Sequence, residues 1–204
     1  MANPLEVHAR AMELAIAEAE RARGQTGDNP WVGCVVLDGA GAVVARGHTQ
    51  GPGEDHAEIM AMHEARVRGV ALGETTLYST LEPCAFHGRT PACARAIVTS
   101  GVRRVVVGIL DPNPRVDGEG LRILEGAGIE VVRDVCAEAI TRQLAPWLLA
   151  YHPHEAERRV RARLRGAAAS AERALVVEEL RALYGLDAEQ ALGLVDRALA
   201  RTGG

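Results

Sequence analysis

The spacing of apolar residues near the N-terminus predicts one helix followed by a β-hairpin. The apolar positions that recur at helical spacing are Met12, Ala15, Ile16 and Ala19. Asn3 is a favourable N-cap for this helix, and Pro4 suits its first position. Two short apolar runs, residues 32–37 and 42–46, flank the turn residues 38–41. Because β-branched runs around a glycine-rich turn are typical of paired strands, we expect a β-hairpin here.

From residue 56 onward, helical and strand patterns alternate. Helices are predicted over residues 56–68, 91–100, 118–126 and 134–149, and strands over residues 77–80, 102–109 and 129–132. We expect Thr90 and Asp134 to cap the second and fourth of these helices. The strand at residues 102–109 is apolar through its middle, which predicts a central position in a sheet covered on both faces. The alternation favours a parallel or mixed sheet between two layers of helices.

The last part of the sequence has only helical patterns. They predict helices over residues 155–165, 167–184 and 188–201, the last one capped by Asp187. The apolar faces of the last two suit a helical hairpin. We therefore predict an α/β domain over residues 1–150 and a helical C-terminal extension over residues 151–204.

Composition narrows the class of protein. Apolar residues make up 48% and charged residues 25% of the 204 residues, as in ordinary globular proteins. The net charge of −4 provides no general attraction for nucleic acid. No apolar run approaches a membrane span, and the N-terminus lacks a signal-like pattern, so a cytoplasmic protein with no membrane partner is expected. All 23 basic residues are arginine, which excludes mechanisms that need a lysine.

Four residues predict a catalytic zinc site. His56, Cys84 and Cys93 offer one imidazole and two thiolates, which leave the fourth tetrahedral position for water. Glu58 lies two residues beyond the histidine, where a carboxylate can carry protons without binding the metal, as in zinc deaminases. A zinc ion that only stabilises the fold is the alternative. It is disfavoured because a closed site needs a fourth Cys or His and has no use for Glu58.

The spacing of the cysteines indicates a particular branch of these enzymes. Eight residues separate Cys84 from Cys93, whereas other zinc deaminases have two. The motifs at residues 76–84 and 87–93, with Asn-Pro-Trp-Val-Gly-Cys at residues 29–34 and Asp-Pro-Asn-Pro-Arg-Val at residues 111–116, carry the comparison. Together they resemble the deaminase half of the riboflavin-biosynthesis deaminase/reductases over roughly residues 5 to 150. The resemblance implies a three-layer α/β/α cytidine-deaminase-like fold with a mixed sheet. It does not extend to the reductase half.

The resemblance also implies candidate substrate contacts. Asn29 matches a residue that hydrogen-bonds the substrate base, and Arg89 suits a phosphate or ribose contact. Phe86 stands where the family usually has a histidine, so it could stack on the substrate instead. Thr49 stands where a second histidine is common, and with His48 it completes the candidate substrate-binding set. Asp28 stands where the family usually has proline. Because of this difference and that at Phe86, the resemblance does not fix the identity of the substrate.

We therefore predict a Zn²⁺-dependent hydrolytic deaminase that converts a ring amino group of a pyrimidine-type heterocycle to a carbonyl. The resemblance makes the diaminohydroxyphosphoribosylaminopyrimidine of riboflavin synthesis, a ribotide, the leading substrate. One alternative is another small heterocyclic amine of specialised metabolism, which would stack on Phe86. Another is a nucleic-acid deaminase with Arg158–Arg165 on phosphates, which the acidic net charge and the cysteine spacing disfavour. We expect a homodimer or higher homo-oligomer.

Overall fold

The computed structural model describes residues 3–86, 92–114, 116–164 and 170–200. Its backbone contacts divide the chain into two compact units, Met1–Ile140 and Thr141–Gly204, and each is described by itself. The boundary between them lies inside a helix that continues to Tyr151. The sequence-based division into domains at residue 150 stays a prediction.

The first unit is built on a five-stranded mixed sheet. In chain order its elements are α1 (Pro4–Ala19), β1 (Gly33–Leu37), β2 (Val43–His48), α2 (Ala57–Val67), β3 (Thr76–Leu81), α3 (Cys93–Ser100), β4 (Arg104–Ile109), α4 (Glu119–Gly126), β5 (Glu130–Val132) and the start of α5 (Ala137–Tyr151). The strand order is β2-β1-β3-β4-β5. Strand β1 is antiparallel to β2 and β3, whereas β3, β4 and β5 run parallel. The predicted mixed sheet is confirmed.

Helices cover both faces of this sheet. Gly33 faces α1, and the next residue, Cys34, pairs with Gly47 on the opposite face, where α2 packs. Gly108 faces Ile140 at the start of α5, on the same side as α1. Helix α3 contacts both α2 and α4. The three-layer α/β/α architecture that the sequence predicts is therefore confirmed.

The local signals at the N-terminal end of the chain are also confirmed. The Asn3 side chain accepts a hydrogen bond of 3.1 Å from the Leu5 amide and caps α1. In the β1–β2 turn, Asp38 Oδ1 accepts bonds of 2.9 Å from the amides of Ala40 and Ala42. Both contacts link neighbours in sequence, which is why the sequence alone predicts them.

Three expectations for the first unit need correction. The strand at the centre of the sheet is β3 and not β4, because β1 adds to the other side of β3. Asp134 does not cap a helix: it has φ of 62°, and α5 begins at Ala137. Helix α3 begins at Cys93 with Ala92 as N-cap, and the predicted cap Thr90 lies outside the described residues.

The second unit contains the remainder of α5 and three further helices, α6 (Pro153–Arg163), α7 (Ser170–Tyr184) and α8 (Ala188–Ala200). Helix α8 packs against both α6 and α7. Asp187 Oδ1 accepts from the Gln190 amide at 2.8 Å, and Gln190 Oε1 accepts from the Asp187 amide at 3.0 Å. This reciprocal cap confirms Asp187 as the start of the last helix. Within the described ranges, no helix has the length and apolar character needed to cross a membrane.

A substitution at Gly33 can test how closely α1 packs against the sheet. A Cβ atom at this position would lie 1.9 Å from the Ala15 carbonyl oxygen and 2.5 Å from the Ala19 amide nitrogen. Because both atoms are helix backbone, α1 would have to move, and Gly33→Ala should lower the free energy of unfolding by about 1–3 kcal/mol. Urea denaturation measures this change. Gly126→Ala is the control because a Cβ there meets nothing within 4 Å; equal loss in both variants would contradict the prediction.

Candidate zinc centre and active site

The three predicted ligands come together where two helices begin. His56 is the N-cap of α2, Cys93 is the first residue of α3, and Cys84 lies in the segment that follows β3. His56 Nδ1 lies 3.7 Å from Cys84 Sγ and 3.3 Å from Cys93 Sγ. All three ligand atoms lie within 4.8 Å of one another.

These distances fit a tetrahedral zinc ion. Zinc lies about 2.3 Å from sulfur and about 2.0 Å from nitrogen, so a sulfur and a nitrogen on one zinc ion are about 3.6 Å apart. The two measured sulfur–nitrogen distances are 3.7 and 3.3 Å. Two thiolates and one imidazole also form a typical donor set for zinc. The three side chains could therefore hold a zinc ion, and a tetrahedral ion with these three protein ligands has one further position for water.

The two thiols have opposite tendencies to ionise. The hydrogen bond from Cys93, helped by one from His56, lowers the pKa of Cys84 to about 4. The pKa of Cys93 is raised well above its ordinary value, first because its thiol bonds to Cys84 and then because of burial. The Cys93 amide, at the start of α3, also donates to Cys84 Sγ at 3.2 Å. Without metal, a thiolate at Cys84 therefore keeps the proton of Cys93 in place, and a dication would replace that proton.

Glu58 is buried beside this cluster. It lies in the first turn of α2, and only 3% of its surface is exposed. Burial raises the pKa of the Glu58 carboxyl, whereas the charge of His56 acts in the opposite direction. Ser79 Oγ on β3 lies 3.4 Å from Glu58 Oε1 and donates a shorter bond of 2.8 Å to the Leu81 carbonyl. The sequence gives no signal for Ser79, since only strand pairing places it beside α2.

Close backbone packing places the start of α2 at the site. A Cβ atom on Gly47 of β2 would lie 2.2 Å from the Ala57 carbonyl oxygen and 2.5 Å from the Ala61 amide nitrogen. Ala57 lies between His56 and Glu58 in the sequence. The missing side chain at Gly47 therefore lets the first turn of α2 reach the sheet, and this contact sets the position of both functional residues.

A further carboxyl lies near the cluster. Asp111 follows β4 and belongs to the motif at residues 111–116. Burial raises its pKa to about 7, and the negative charges of Glu82, Cys84 and Glu58 contribute. Its Oδ1 accepts a hydrogen bond of 2.9 Å from the Asn113 amide. The sequence motif marked this segment, but it gave no reason to expect an acid with a raised pKa.

The predicted substrate contacts have varied surroundings. Asn29 is half-buried in a turn that Thr26 closes, and Phe86 is half-buried at the end of a described segment. Thr49 is buried, and its Oγ1 accepts from the Val32 amide at 3.1 Å. His48 Nδ1 lies 2.9 Å from Glu18 Oε1. Arg89 lies outside the described residues.

Loss of one thiolate tests the metal ligands. Cys84→Ser should lose most of its zinc on dialysis, because a hydroxyl is a much weaker zinc ligand than a thiolate. Cys136→Ser is the matched control, since Cys136 is a half-buried free cysteine outside the cluster. Metal analysis by mass spectrometry measures both. A full zinc content in Cys84→Ser would contradict the assignment.

The packing at Gly47 gives a second test. Gly47→Ala should displace the start of α2 and weaken zinc binding by roughly tenfold or more, because misplaced ligands lose coordination energy. Gly33→Ala is the matched control, since it also inserts a methyl group against helix backbone, but against α1. Competition with a chelator measures zinc affinity. Equal affinities in the two variants would show that Gly47 affects stability alone.

Comparison with known proteins agrees with this geometry. The model of the cytidine and deoxycytidylate deaminase zinc-binding region matches residues 5–109. The riboflavin biosynthesis protein RibD of Aquifex aeolicus is 46% identical over 133 residues, which are 65% of this chain and 36% of that protein. The chain thus spans about a third of the length of that relative.

Solved structures give the same result. Acinetobacter baumannii RibD superposes with a TM-score of 0.66 at 40% identity, covering 72% of this chain and 40% of that one. The diaminohydroxyphosphoribosylaminopyrimidine deaminase/5-amino-6-(5-phosphoribosylamino)uracil reductase of Thermotoga maritima has a TM-score of 0.64 at 37% identity, covering 69% of this chain and 40% of that one. The resemblance to the riboflavin-biosynthesis deaminase/reductases is therefore confirmed. The chain belongs to the cytidine and deoxycytidylate deaminase zinc-binding family.

Proposed function

We propose that this protein is a zinc-dependent hydrolytic deaminase whose substrate is the diaminohydroxyphosphoribosylaminopyrimidine of riboflavin synthesis. One observation carries the reaction type: the buried carboxylate of Glu58 lies beside the His–Cys–Cys ligand set, which is the set of metal ligands found among the residues that the structure describes. A zinc site that only stabilises the fold has no need for a buried acid. Because burial of an ionisable group costs free energy, a buried acid beside a metal site indicates a functional role. The similarity to RibD supports the choice of substrate.

The proposed reaction adds water to the ring carbon that bears the amino group and then releases ammonia. A zinc ion held by His56, Cys84 and Cys93 would supply an acidified water, since zinc lowers the pKa of bound water to about 7. Glu58 would accept a proton from that water and pass it to the neighbouring ring nitrogen. It would then take the remaining proton of the added hydroxyl group and deliver it to the amino group as the C–N bond breaks, which leaves a carbonyl and ammonia. Such positioned proton transfer contributes about a hundred- to ten-thousand-fold in rate.

The residues proposed to recognise the substrate are those that the family resemblance implies. Asn29 would bond the base, Arg89 would contact the phosphate or ribose, and Phe86 would stack on the ring. Thr49 and His48 stay candidates, although both already have partners, Val32 and Glu18. The alternative of another heterocyclic amine depends on Phe86, because an aromatic ring favours flat substrates over those that need a hydrogen bond at this point.

The alternative of a nucleic-acid deaminase depends on the arginines of α6. The described arginines of this run each lie near a glutamate: Arg158 near Glu155 at 2.8 Å, Arg159 near Glu179 at 3.7 Å, Arg161 near Glu157 at 3.6 Å and Arg163 near Glu179 at 3.0 Å. These pairs reduce the positive potential available to phosphates, so no observation favours this function. The expected homo-oligomer stays a prediction.

Ammonia release tests the proposal directly. The zinc-loaded protein should release one ammonia per molecule of ribotide, and Glu58→Gln should lower turnover at least about a hundredfold, because an amide cannot carry the proton. Zinc content should stay unchanged in that variant. Glu64→Gln is the matched control, since Glu64 lies on the same helix but bonds the Arg46 amide and Arg68.

Two results would contradict parts of this proposal. Near-normal turnover by Glu58→Gln would assign the proton transfer to another group. Ammonia release from other aminopyrimidines or purines, but not from the ribotide, would favour the deaminase of another heterocyclic amine.

A further inference from the structure

Glu82 accepts an unusual number of backbone hydrogen bonds. Its Oε2 accepts from the amides of Asp111 at 3.2 Å and Gly118 at 3.0 Å. Its Oε1 accepts from the amides of Gly120 at 2.8 Å and Leu121 at 3.4 Å. Only 2% of the residue is exposed. Glu82 is therefore a buried carboxylate in which each oxygen accepts two backbone hydrogen bonds.

The four amides belong to a different part of the chain. Asp111 and Gly118 lie at the two ends of the segment between β4 and α4, whereas Gly120 and Leu121 lie in the first turn of α4. The amides of such a first turn have no partners within the helix, and the helix dipole favours a negative charge there. Glu82 therefore satisfies groups that burial would otherwise leave unpaired.

The same contact fixes the strand end that leads to the zinc ligands. The Glu82 amide donates to the Ile109 carbonyl at 2.9 Å, which extends the pairing of β3 with β4. A Cβ on Gly120 would lie 2.0 Å from the Pro83 carbonyl oxygen, so the start of α4 touches the backbone beside Cys84. Glu82 is thus two residues from Cys84 and bonded to both ends of the segment that carries Asp111.

We propose that Glu82 is a positioning residue that holds the Cys84 segment against Asp111 and the start of α4, so that these parts of the chain form one wall of the zinc site. Its carboxylate bridges these two parts of the chain through four amide hydrogen bonds. The catalytic part of this proposal rests on the proposed deaminase function; the structural part does not.

The geometry separates this role from proton transfer. Each oxygen of Glu82 already accepts two N–H groups, and the residue is buried. A carboxylate with all its acceptor positions filled cannot take a proton from a substrate without losing those bonds. Removal of Glu82 should therefore weaken the site without changing the pH dependence of kcat.

Chemical rescue gives a sharp test. Glu82→Ala removes a CH₂–carboxylate group and leaves four amides around a space that matches acetate. The cobalt-substituted variant should have an altered thiolate-to-cobalt absorption spectrum, and kcat/KM should fall roughly tenfold or more. Added acetate should restore both in a saturable way, because the four amides form an anion site. Acetamide, which has the same size but no charge, should not.

Two further variants serve as controls. Glu82→Gln fills the same space but turns an NH₂ group toward one pair of amides, so it should show the altered cobalt spectrum and no response to acetate. This variant decides the question if Glu82→Ala does not fold. Glu157→Gln removes another buried carboxylate, from α6, and should leave the cobalt spectrum and acetate response as in the unmodified protein.

The outcomes distinguish this proposal from the proposed function. A normal cobalt spectrum in both Glu82 variants would overturn the positioning role, and so would an altered spectrum in Glu82→Ala that acetate leaves unchanged. If the protein releases no ammonia from any tested heterocycle, the deaminase proposal fails, but acetate-dependent recovery of the cobalt spectrum would still support the role of Glu82.

Discussion

Two sulfur atoms and one imidazole nitrogen lie within 4.8 Å of one another where α2 and α3 begin. The rest of the first unit depends on this convergence. Helix α2 reaches it because Gly47 has no side chain to separate the helix from β2. Helix α3 reaches it because the Cys93 amide bonds to Cys84 Sγ. Each helix therefore contributes a ligand and the favourable end of its dipole, which stabilises the thiolate form that zinc requires.

Negative groups accumulate around the cluster. Burial raises the pKa of Glu58, and it raises that of Asp111 to about 7, with Glu82, Cys84 and Glu58 adding their charges. Acids that repel one another in a buried place are costly in a protein without compensation. A zinc dication at the ligand set would supply opposite charge at the centre of this group and would lower these pKa values again. The electrostatics and the ligand geometry thus point to the same ion, and the family match agrees.

The sequence predicted features whose partners are near in the chain. The Asn3 cap, the Asp38 turn and the Asp187 cap each join residues two to four positions apart, and all are present. The zinc ligands could be predicted over a longer distance because their spacing is chemically restrictive.

Contacts between residues that only the tertiary fold brings together could not be predicted from local sequence patterns. Glu82 bonds to amides 29 to 39 positions later, and Ser79 approaches Glu58 from another element. The order of strands is also a property of the assembled sheet. The apolar sequence of β4 predicted the central position, but β3 occupies it. Aspartate is a favourable N-cap residue, but Asp134 has a left-handed backbone conformation, and α5 begins three residues later at Ala137.

The arginines of α6 show how a local pattern can mislead about function. As a sequence, the run from Arg158 onward resembles a phosphate-binding face. In the structure, Arg158 and Arg161 bond to glutamates three and four positions earlier, and Arg159 and Arg163 share Glu179 of α7. The more exposed of these pairs, such as Arg163 with Glu179, contribute little to stability. The pairs do reduce the local positive potential, because two opposite charges within 4 Å of each other largely cancel at distances greater than their separation. The residues of this chain that are arranged for catalysis are therefore Glu58 and the three zinc ligands.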